Sequence, residues 1–382
     1  MKSKLAALCT YMKGKVAVDT LDEYTYISTE NMIPNKGGIE RAPSLPSTQY
    51  TQAFDLGDVL VSNIRPYFKK IWMAEYSGGC SNDVLVFRAS KGCDPTFLYY
   101  VLANNSFFDY ATATSKGTKM PRGDKTAIMQ YEVPAFDIAT QQRIGRLLKG
   151  IDTRIVTNKK INDNLERQVQ AYFQELFVDN ADPAWTLGTI SDLGTVVGGS
   201  TPSKSKPEYY TEDGIAWITP KDLSINKAKF ISHGENDITE LGLKNSSASI
   251  MPEGTVLFSS RAPIGYIAIA SGEVTTNQGF KSVVPKPEIG TAYVYCFLKH
   301  TLPVIEGMAS GSTFKEVSGS TMKNVPAVIP DTETLTCFNE FCAPIFAQQR
   351  ILEEQNQSLA ALRDSLLPKL MSGELDVSGI QL

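Results

Sequence analysis

Histidine is nearly missing from this chain: His233 and His300 are the only two in 382 residues, and neither stands at metal-ligand spacing from another ligand type. A histidine-based catalytic triad has no seat, and no metal site is expected. The six cysteines, Cys9, Cys80, Cys93, Cys296, Cys337 and Cys342, are scattered without a Cys-x-x-Cys pair. The closest two, Cys337 and Cys342, fall in a helical pattern, so buried reduced thiols in a cytoplasmic protein are expected. No apolar run nears the roughly 18 residues of a membrane span. The opening MKSKLAALCTYMKGK is broken by Tyr11 and Lys13 and does not read as a signal peptide. There is no G-x-x-x-x-G-K-[ST] phosphate loop, no glycine fingerprint opening a βαβ unit, and no Asn/Asp-Pro-Pro-aromatic motif of a base-flipping methyltransferase. Carboxylates are plentiful but ordinary, so no catalytic residue is named.

An excess of positive charge is missing as well. The net charge is −4, which argues against a plain polybasic nucleic-acid binder. Residues 331–382, however, hold eight acidic against three basic side chains and account for most of that acidity. Any contact with a polyanion must then rely on local basic clusters.

What the chain does have is length for two sizeable cores and an internal duplication. Tyr26-Ile-Ser-Thr-Glu-Asn-Met32 matches Trp217-Ile-Thr-Pro-Lys-Asp-Leu223, and Gly57-Asp-Val-Leu-Val-Ser-Asn-Ile-Arg65-Pro66 matches Gly254-Thr-Val-Leu-Phe-Ser-Ser-Arg261-Ala-Pro263. Cys80-Ser-Asn82, Ser115-Lys-Gly117-Thr and Val133-Pro-Ala135 match Thr276-Asn277, Ser310-Gly311-Ser-Thr313 and Val325-Pro-Ala327 in the same order. Each repeat opens with short β-branched and aromatic runs punctuated by Gly, Pro, Asn and Asp, which predict strands and turns. A helical stretch follows (FLYYVLANNSFFDYA; AYVYCFLKHTLPVIEG), then a Gly/Ser/Thr/Lys loop.

Each repeat closes with a long helix carrying a heptad seam. In the first, Ile144, Leu148, Ile151, Ile155, Asn158, Asn162, Leu165, Val169, Tyr172 and Leu176 alternate four and three residues apart, over about 50 Å of helix. In the second, Phe338, Phe341, Ile345, Gln348, Leu352, Gln355, Leu359, Leu362 and Leu366 do the same. The matched polar centres favour two helices packed on each other; the alternative is that each packs on its own domain. Pro368 is expected to end or kink the second helix, leaving KLMSGELDVSGIQL as a tail, and VDNADPAW is the expected linker between repeats.

Four predicted loops combine cations, hydroxyls and glycine, the chemistry that suits a phosphate backbone. The first contains Arg65, Lys69 and Lys70. The second runs from Ser115 to Lys125 and contains Lys116, Gly117, Thr118, Lys119 and Arg122. The second repeat supplies Gly198 to Lys206, with Thr201, Ser203 and Lys204, and Ser310 to Lys315, with Ser312 and Thr313; Lys221 and Arg261 stand nearby. Asn82 and Asn277 carry carboxamides that match the edge of adenine, and turn or capping roles are open for both.

At this point the chain resembles the specificity (S) subunit of type I restriction–modification systems, over nearly its whole length. The resemblance rests on Leu362-Arg-Asp-Ser-Leu-Leu-Pro368-Lys-Leu-Met-Ser-Gly373-Glu-Leu, on Tyr26 to Met32, on Ser115 to Lys125, and on the duplication. It implies an α+β chain with two similar mixed α/β target-recognition domains, each followed by a long helix, the helices packed as an antiparallel coiled coil. The corresponding division is 1–140, 141–178, 179–330 and 331–382. It also implies a non-catalytic subunit whose domains each bind one half of a bipartite, asymmetric double-stranded DNA site. Its helices set the spacer and dock two methyltransferase subunits, which bind S-adenosylmethionine and methylate adenine; the chain itself takes no cofactor. In the full enzyme, restriction (nuclease/translocase) subunits join. The first repeat begins abruptly compared with Trp185-Thr-Leu-Gly-Thr-Ile ahead of the second, which leaves its opening strand in question. A tandem structural protein that binds other proteins through its coiled coil is the competing reading.

Overall fold

A computed structural model describes residues 2–311 and 315–379. The chain divides into two compact units, Met1–Val156 with Gln357–Leu382, and Thr157–Asn356. No described helix is long and apolar enough to cross a membrane.

The first unit is layered because its strands alternate. Val59, Val61, Leu85 and Phe87 point into a core shared with the helices Pro95–Ala103 and Asn105–Ala113. Their neighbours Leu60, Val84 and Val86 point into a second core on the opposite face, beside Ile27, Phe54 and Cys80. This is the two-residue period of a sheet covered on both faces. The central sheet runs Cys9–Tyr11, Val84–Ala89, Val59–Ser62, Ile71–Met73; the smaller sheet covering it runs Lys15–Ala17, Tyr50–Phe54, Gly78–Cys80, Tyr26–Ile27. The sequence stretch read as one helix is two, broken at Asn104, whose carboxamide oxygen accepts from the Ser106 N–H.

The second unit repeats the plan. Its central sheet runs Gly194–Gly198, Lys281–Pro285, Val256–Ser260, Ile264–Ala270, and adds Phe230–Ile231 at the edge. Val256, Phe258 and Val283 meet the helix Thr291–Gly307 on one face, while Leu257, Ala268 and Ala270 on the other meet a smaller sheet that runs Tyr210–Thr211, Asn236–Ile238, Ile215–Ile218, Thr275–Thr276. In both units the matched segments form a parallel strand pair, Ile27 opposite Cys80 and Ile218 opposite Thr276. Both follow it with the same turn: the Ser28 N–H donates to Asn31 Oδ1 at 2.6 Å, and the Thr219 N–H to Asp222 Oδ2 at 2.7 Å. The recurring Tyr26 and Trp217 motifs are therefore strand-to-turn devices.

The opening strand of the first repeat is present. Lys2–Lys4 pairs antiparallel with Glu132–Pro134, as Thr186–Thr189 pairs with Pro326–Ile329 in the second unit. Three residues are too few to show an alternation, which is why the sequence left this strand open.

The long helices, Ile138–Gln174 with a final wide turn Glu175–Asp179, and Thr332–Ser372, begin with the same cap. Asp137 Oδ1 accepts from the Thr140 N–H and Asp331 Oδ1 from the Thr334 N–H, each at 2.8 Å. These bonds lower both carboxyl pKa values, Asp331 to about 2. The last wide turn takes Val178 and Asp179 out of the expected linker.

Within each unit the helix segments run antiparallel. In the first, Ile144 and Leu148 share a core with Leu367 and Leu370, and Arg363 Nη1 reaches Asp152 Oδ1 at 2.7 Å. In the second, Asn158 Nδ2 donates to Asn356 Oδ1 at 3.0 Å, Asn162 and Gln349 exchange bonds to each other's carbonyls, and the Tyr172 ring lies 5.8 Å from that of Phe338.

The seam of the second helix departs from the expected one. Gln349 is buried, not Gln348; Leu367 and Leu370 are buried, while Leu362 is 47% exposed. Phe341 is half exposed, with its ring 4.5 Å from Tyr172. Leu352 is buried, and Ile345, Leu359 and Leu366 are half-buried. In the first helix Ile151 and Val169 are buried, and Ile155 and Leu165 half-buried. The helices pack on their domains as well as on each other, so two stripes compete for the apolar positions.

Pro368 does not end the second helix, which continues to Ser372. Burial of Leu367 and Leu370 offsets the hydrogen bond that proline removes. Cys337 is exposed, contrary to the expected burial, and its Sγ lies 3.4 Å from the Tyr172 hydroxyl; the other five thiols are buried and all six are free.

Candidate nucleic-acid interface

In the first unit three loops meet beyond the strand Val59–Ser62. Arg65 adopts a left-handed backbone (φ 49°) before Pro66, and its N–H donates to the Pro121 carbonyl. The segment Lys116–Arg122 is a hairpin closed by reciprocal bonds, Lys116 N–H to Arg122 O at 2.8 Å and Arg122 N–H to Lys116 O at 2.9 Å. Gly117 permits the turn with φ 94°. The loop Ser81–Asp83 completes the group, with Arg122 Nη2 at 3.1 Å from Asp83 Oδ1.

The second unit builds the same group. Ala262 takes the left-handed position (φ 52°) before Pro263. The hairpin is closed by Ser310 and Glu316, and the Val317 N–H donates to Ser260 O as Gly123 donates to Asn63 O. Ser312 and Thr313 lie outside the described residues. Arg261 and Lys281 flank Glu316 at 3.5 and 3.8 Å.

Many of the sequence-derived cations are engaged within the fold. Lys69 Nζ donates to Asn105 Oδ1 at 3.0 Å, Lys70 Nζ to Thr29 O at 2.6 Å, and Lys116 Nζ pairs with Asp124 Oδ2 at 2.6 Å. Lys116 and the Ala127 and Thr126 N–H groups together hold Asp124 below the usual carboxylate range. Lys221 pairs with Glu235, which raises the lysine. Thr201 donates to Gln278, and Ser203 bonds Ser205. Asn277 Oδ1 accepts from the Gly279 N–H at 2.8 Å, a turn bond that occupies the group expected to read adenine. Thr118, Lys119, Lys125, Lys204, Lys315 and Asn82 are exposed.

Sequence reasoning missed Lys13, Lys15 and Tyr50, which line one cleft with Asn82 and Lys125. A lysine pair around Gly14, between two short β runs, was the available signal. The polar cluster Glu166, Lys229, Lys299, Gln349 and Glu353 in the second unit was missed too. Lys229 Nζ lies 2.5 Å from Glu166 Oε2 and 4.0 Å from the Phe346 ring centre, and Glu353 accepts the Lys229 and Phe230 N–H groups. Burial alone would raise Glu166, but Lys229 and Lys299 outweigh it and hold the carboxyl at about 2. Burial lowers the Lys229 ammonium by more than Glu166 restores. No group of His, Cys, Asp and Glu able to hold a metal occurs among the described residues.

Two copies of one layered domain, each presenting a matching loop group and continuing into a long helix, define a duplicated two-unit protein. The chain belongs to the type I restriction modification DNA specificity domain family, whose model matches residues 8–167 and 184–362. Membership carries a role in DNA sequence specificity within a type I restriction–modification system.

Among its relatives is the type I restriction enzyme MjaIX specificity subunit of Methanocaldococcus jannaschii, 40% identical over 191 residues; that alignment covers 48% of this chain and 44% of the relative. The chain thus spans less than half of that protein. The type I restriction enzyme HindI specificity subunit of Haemophilus influenzae is 24% identical, covering 92% of this chain and 94% of its own. The solved S subunit of the M. genitalium type I system shares the fold, with a TM-score of 0.61 at 17% identity, over 99% of this chain and 96% of that one.

Proposed function

We propose that each unit reads one half of a bipartite, asymmetric duplex DNA site, and that the two long helices set the spacer and dock two methyltransferase subunits. Those partners bind S-adenosylmethionine and methylate adenine, and restriction subunits join them in the full enzyme. The chain supplies specificity and scaffold without catalytic groups of its own, and works in the cytoplasm. One observation carries this reading: the same loop group, a left-handed residue before proline beside a hairpin whose closing residues stand six positions apart, occurs in each unit. A duplicated reading head suits two half-sites. Backbone contacts from the partners offset the chain's weak net charge.

The test is co-expression with the methyltransferase partner and genome-wide mapping of methylated adenine. A bipartite motif is expected. A seven-residue insertion at facing positions of the helices, beside Asn158 and Asn356, is expected to change the spacer and leave both half-sites alone. Methylation without a bipartite motif, or an insertion that alters the half-sites, overturns the proposal.

A further inference from the structure

The first unit holds a second concentration of positive charge, apart from the loop cations that its own carboxylates and carbonyls engage. The chain crosses from the central sheet to the small sheet through Met12-Lys13-Gly14, and the crossing leaves a cleft of about 340 Å³. Lys13 and Lys15 line it from the crossing, Tyr50 from the neighbouring strand, Asn82 from the loop Ser81–Asp83, and Lys125 from the start of the short helix Lys125–Ile128. No carboxylate is among its lining residues. Among the described residues, none of the three ammonium groups has a hydrogen-bond or ion-pair partner. Lys69, Lys70, Lys116 and Arg122 each have one.

The walls are held in place. Ala53 N–H donates to Gly14 O at 2.9 Å, Lys15 pairs in register with Gln52, and Gln52 Nε2 reaches Met12 O at 3.2 Å. The Tyr11 hydroxyl donates to Lys125 O at 3.0 Å, and burial raises that phenol, keeping it a neutral donor. Three unneutralised charges in one fixed cleft repel one another and call for an anion. They come from two segments, Lys13 and Lys15 on either side of Gly14 and Lys125 over a hundred residues away, an arrangement that suits an extended polyanion better than a lone phosphate. The cleft is continuous with the hairpin loops: Asn82 adjoins Asp83, the partner of Arg122, and Lys125 follows Asp124, the partner of Lys116.

We propose that this cleft clamps the sugar–phosphate backbone of duplex DNA beside the half-site that the first unit reads, with Lys13, Lys15 and Lys125 contacting phosphates and Tyr50 and Asn82 facing the sugars. The clamp rests on the DNA-reading role proposed above. It gives affinity without sequence preference, because phosphate contacts carry no base information.

The experiment uses the full chain in complex with its methyltransferase partner. Binding to a duplex carrying the mapped motif and to a scrambled duplex is measured from 50 to 200 mM salt. Each lost phosphate contact removes about 0.9 from the slope of log affinity against log salt. Lys13→Ala/Lys15→Ala/Lys125→Ala is therefore expected to flatten the slope by about 2.7, so the affinity lost across this range shrinks roughly fortyfold. The methylated motif is expected to stay the same. Should the alanine variant lose its melting transition, Lys13→Gln/Lys15→Gln carries the test, with an expected flattening of about 1.8. An unchanged slope in a complex that still methylates its motif overturns the clamp and leaves the specificity role standing. An altered motif makes these lysines base readers and overturns the phosphate assignment. Loss of the methyltransferase from the complex makes the cleft a protein interface and overturns it as well. A wild-type complex with no preference for its motif strikes at the proposed function itself.

Discussion

Glu166→Gln perturbs the polar core of the second unit at its centre. Lys229 is 6% exposed and Glu166 is 22% exposed, with Nζ and Oε2 2.5 Å apart. Removing one partner of a buried ion pair costs about 3–5 kcal/mol, because the other charge is left without its counter-ion. The lower end applies here, since Lys229 Nζ also donates to Gln349 Oε1 at 2.6 Å and faces the Tyr295 and Phe346 rings. A loss of about 3 kcal/mol lowers the midpoint of a unit this size by about 6–12 °C. Scanning calorimetry at neutral pH checks this. The pH dependence gives an independent sign. The folded carboxyl sits at about 2 against an ordinary 4.5, so its stabilisation is complete above about pH 4.5 and is lost as pH falls toward 2. The gap between wild type and Glu166→Gln must therefore close over that interval. Glu166→Leu with Lys229→Met is expected to recover most of the loss, because an apolar pair leaves no bare charge. A single variant melting within about 1 °C of wild type, or a gap that ignores acidification, refutes the reasoning.

Gly199→Ala is expected to cost about 1–3 kcal/mol, because its Cβ would stand 2.0 Å from Asn277 O and 2.4 Å from Thr276 O. Gly198→Ala meets nothing within 4 Å and serves as the neutral partner in the same melting experiment. Asn158→Ala leaves Asn356 Oδ1 without its 3.0 Å donor and is expected to lower stability by about 1–3 kcal/mol by denaturant titration, while leucine at both positions restores it.

Large features of the fold were legible because they rest on periodicity. The duplication, the alternating strands and the long helices each show in the order of apolar and polar residues. The exact stripe of the second helix was not legible. Leu362 is apolar and exposed whereas Gln349 is polar and buried, since that glutamine exchanges bonds with Asn162 across the pair. The loop cations were legible as charges, but their engagement was not. Asp83, Asp124 and Asn105 are distant in sequence or unremarkable in type, and only the fold brings them to Arg122, Lys116 and Lys69. In the sequence Lys13 stands merely as a break in an apolar run and Lys15 carries no signal of its own, because nothing local reveals that Lys125 shares their cleft.

The ending Leu362 to Val377 supplies Leu367, Leu370 and Val377 to the core of the first unit. Two hundred residues, Thr157–Asn356, are translated between the two parts of that unit. At about 5–20 residues per second, the ribosome delivers the missing piece some 10–40 s after the rest. During that interval the nascent first half carries an unfinished apolar face, a window in which chaperones and aggregation compete for it.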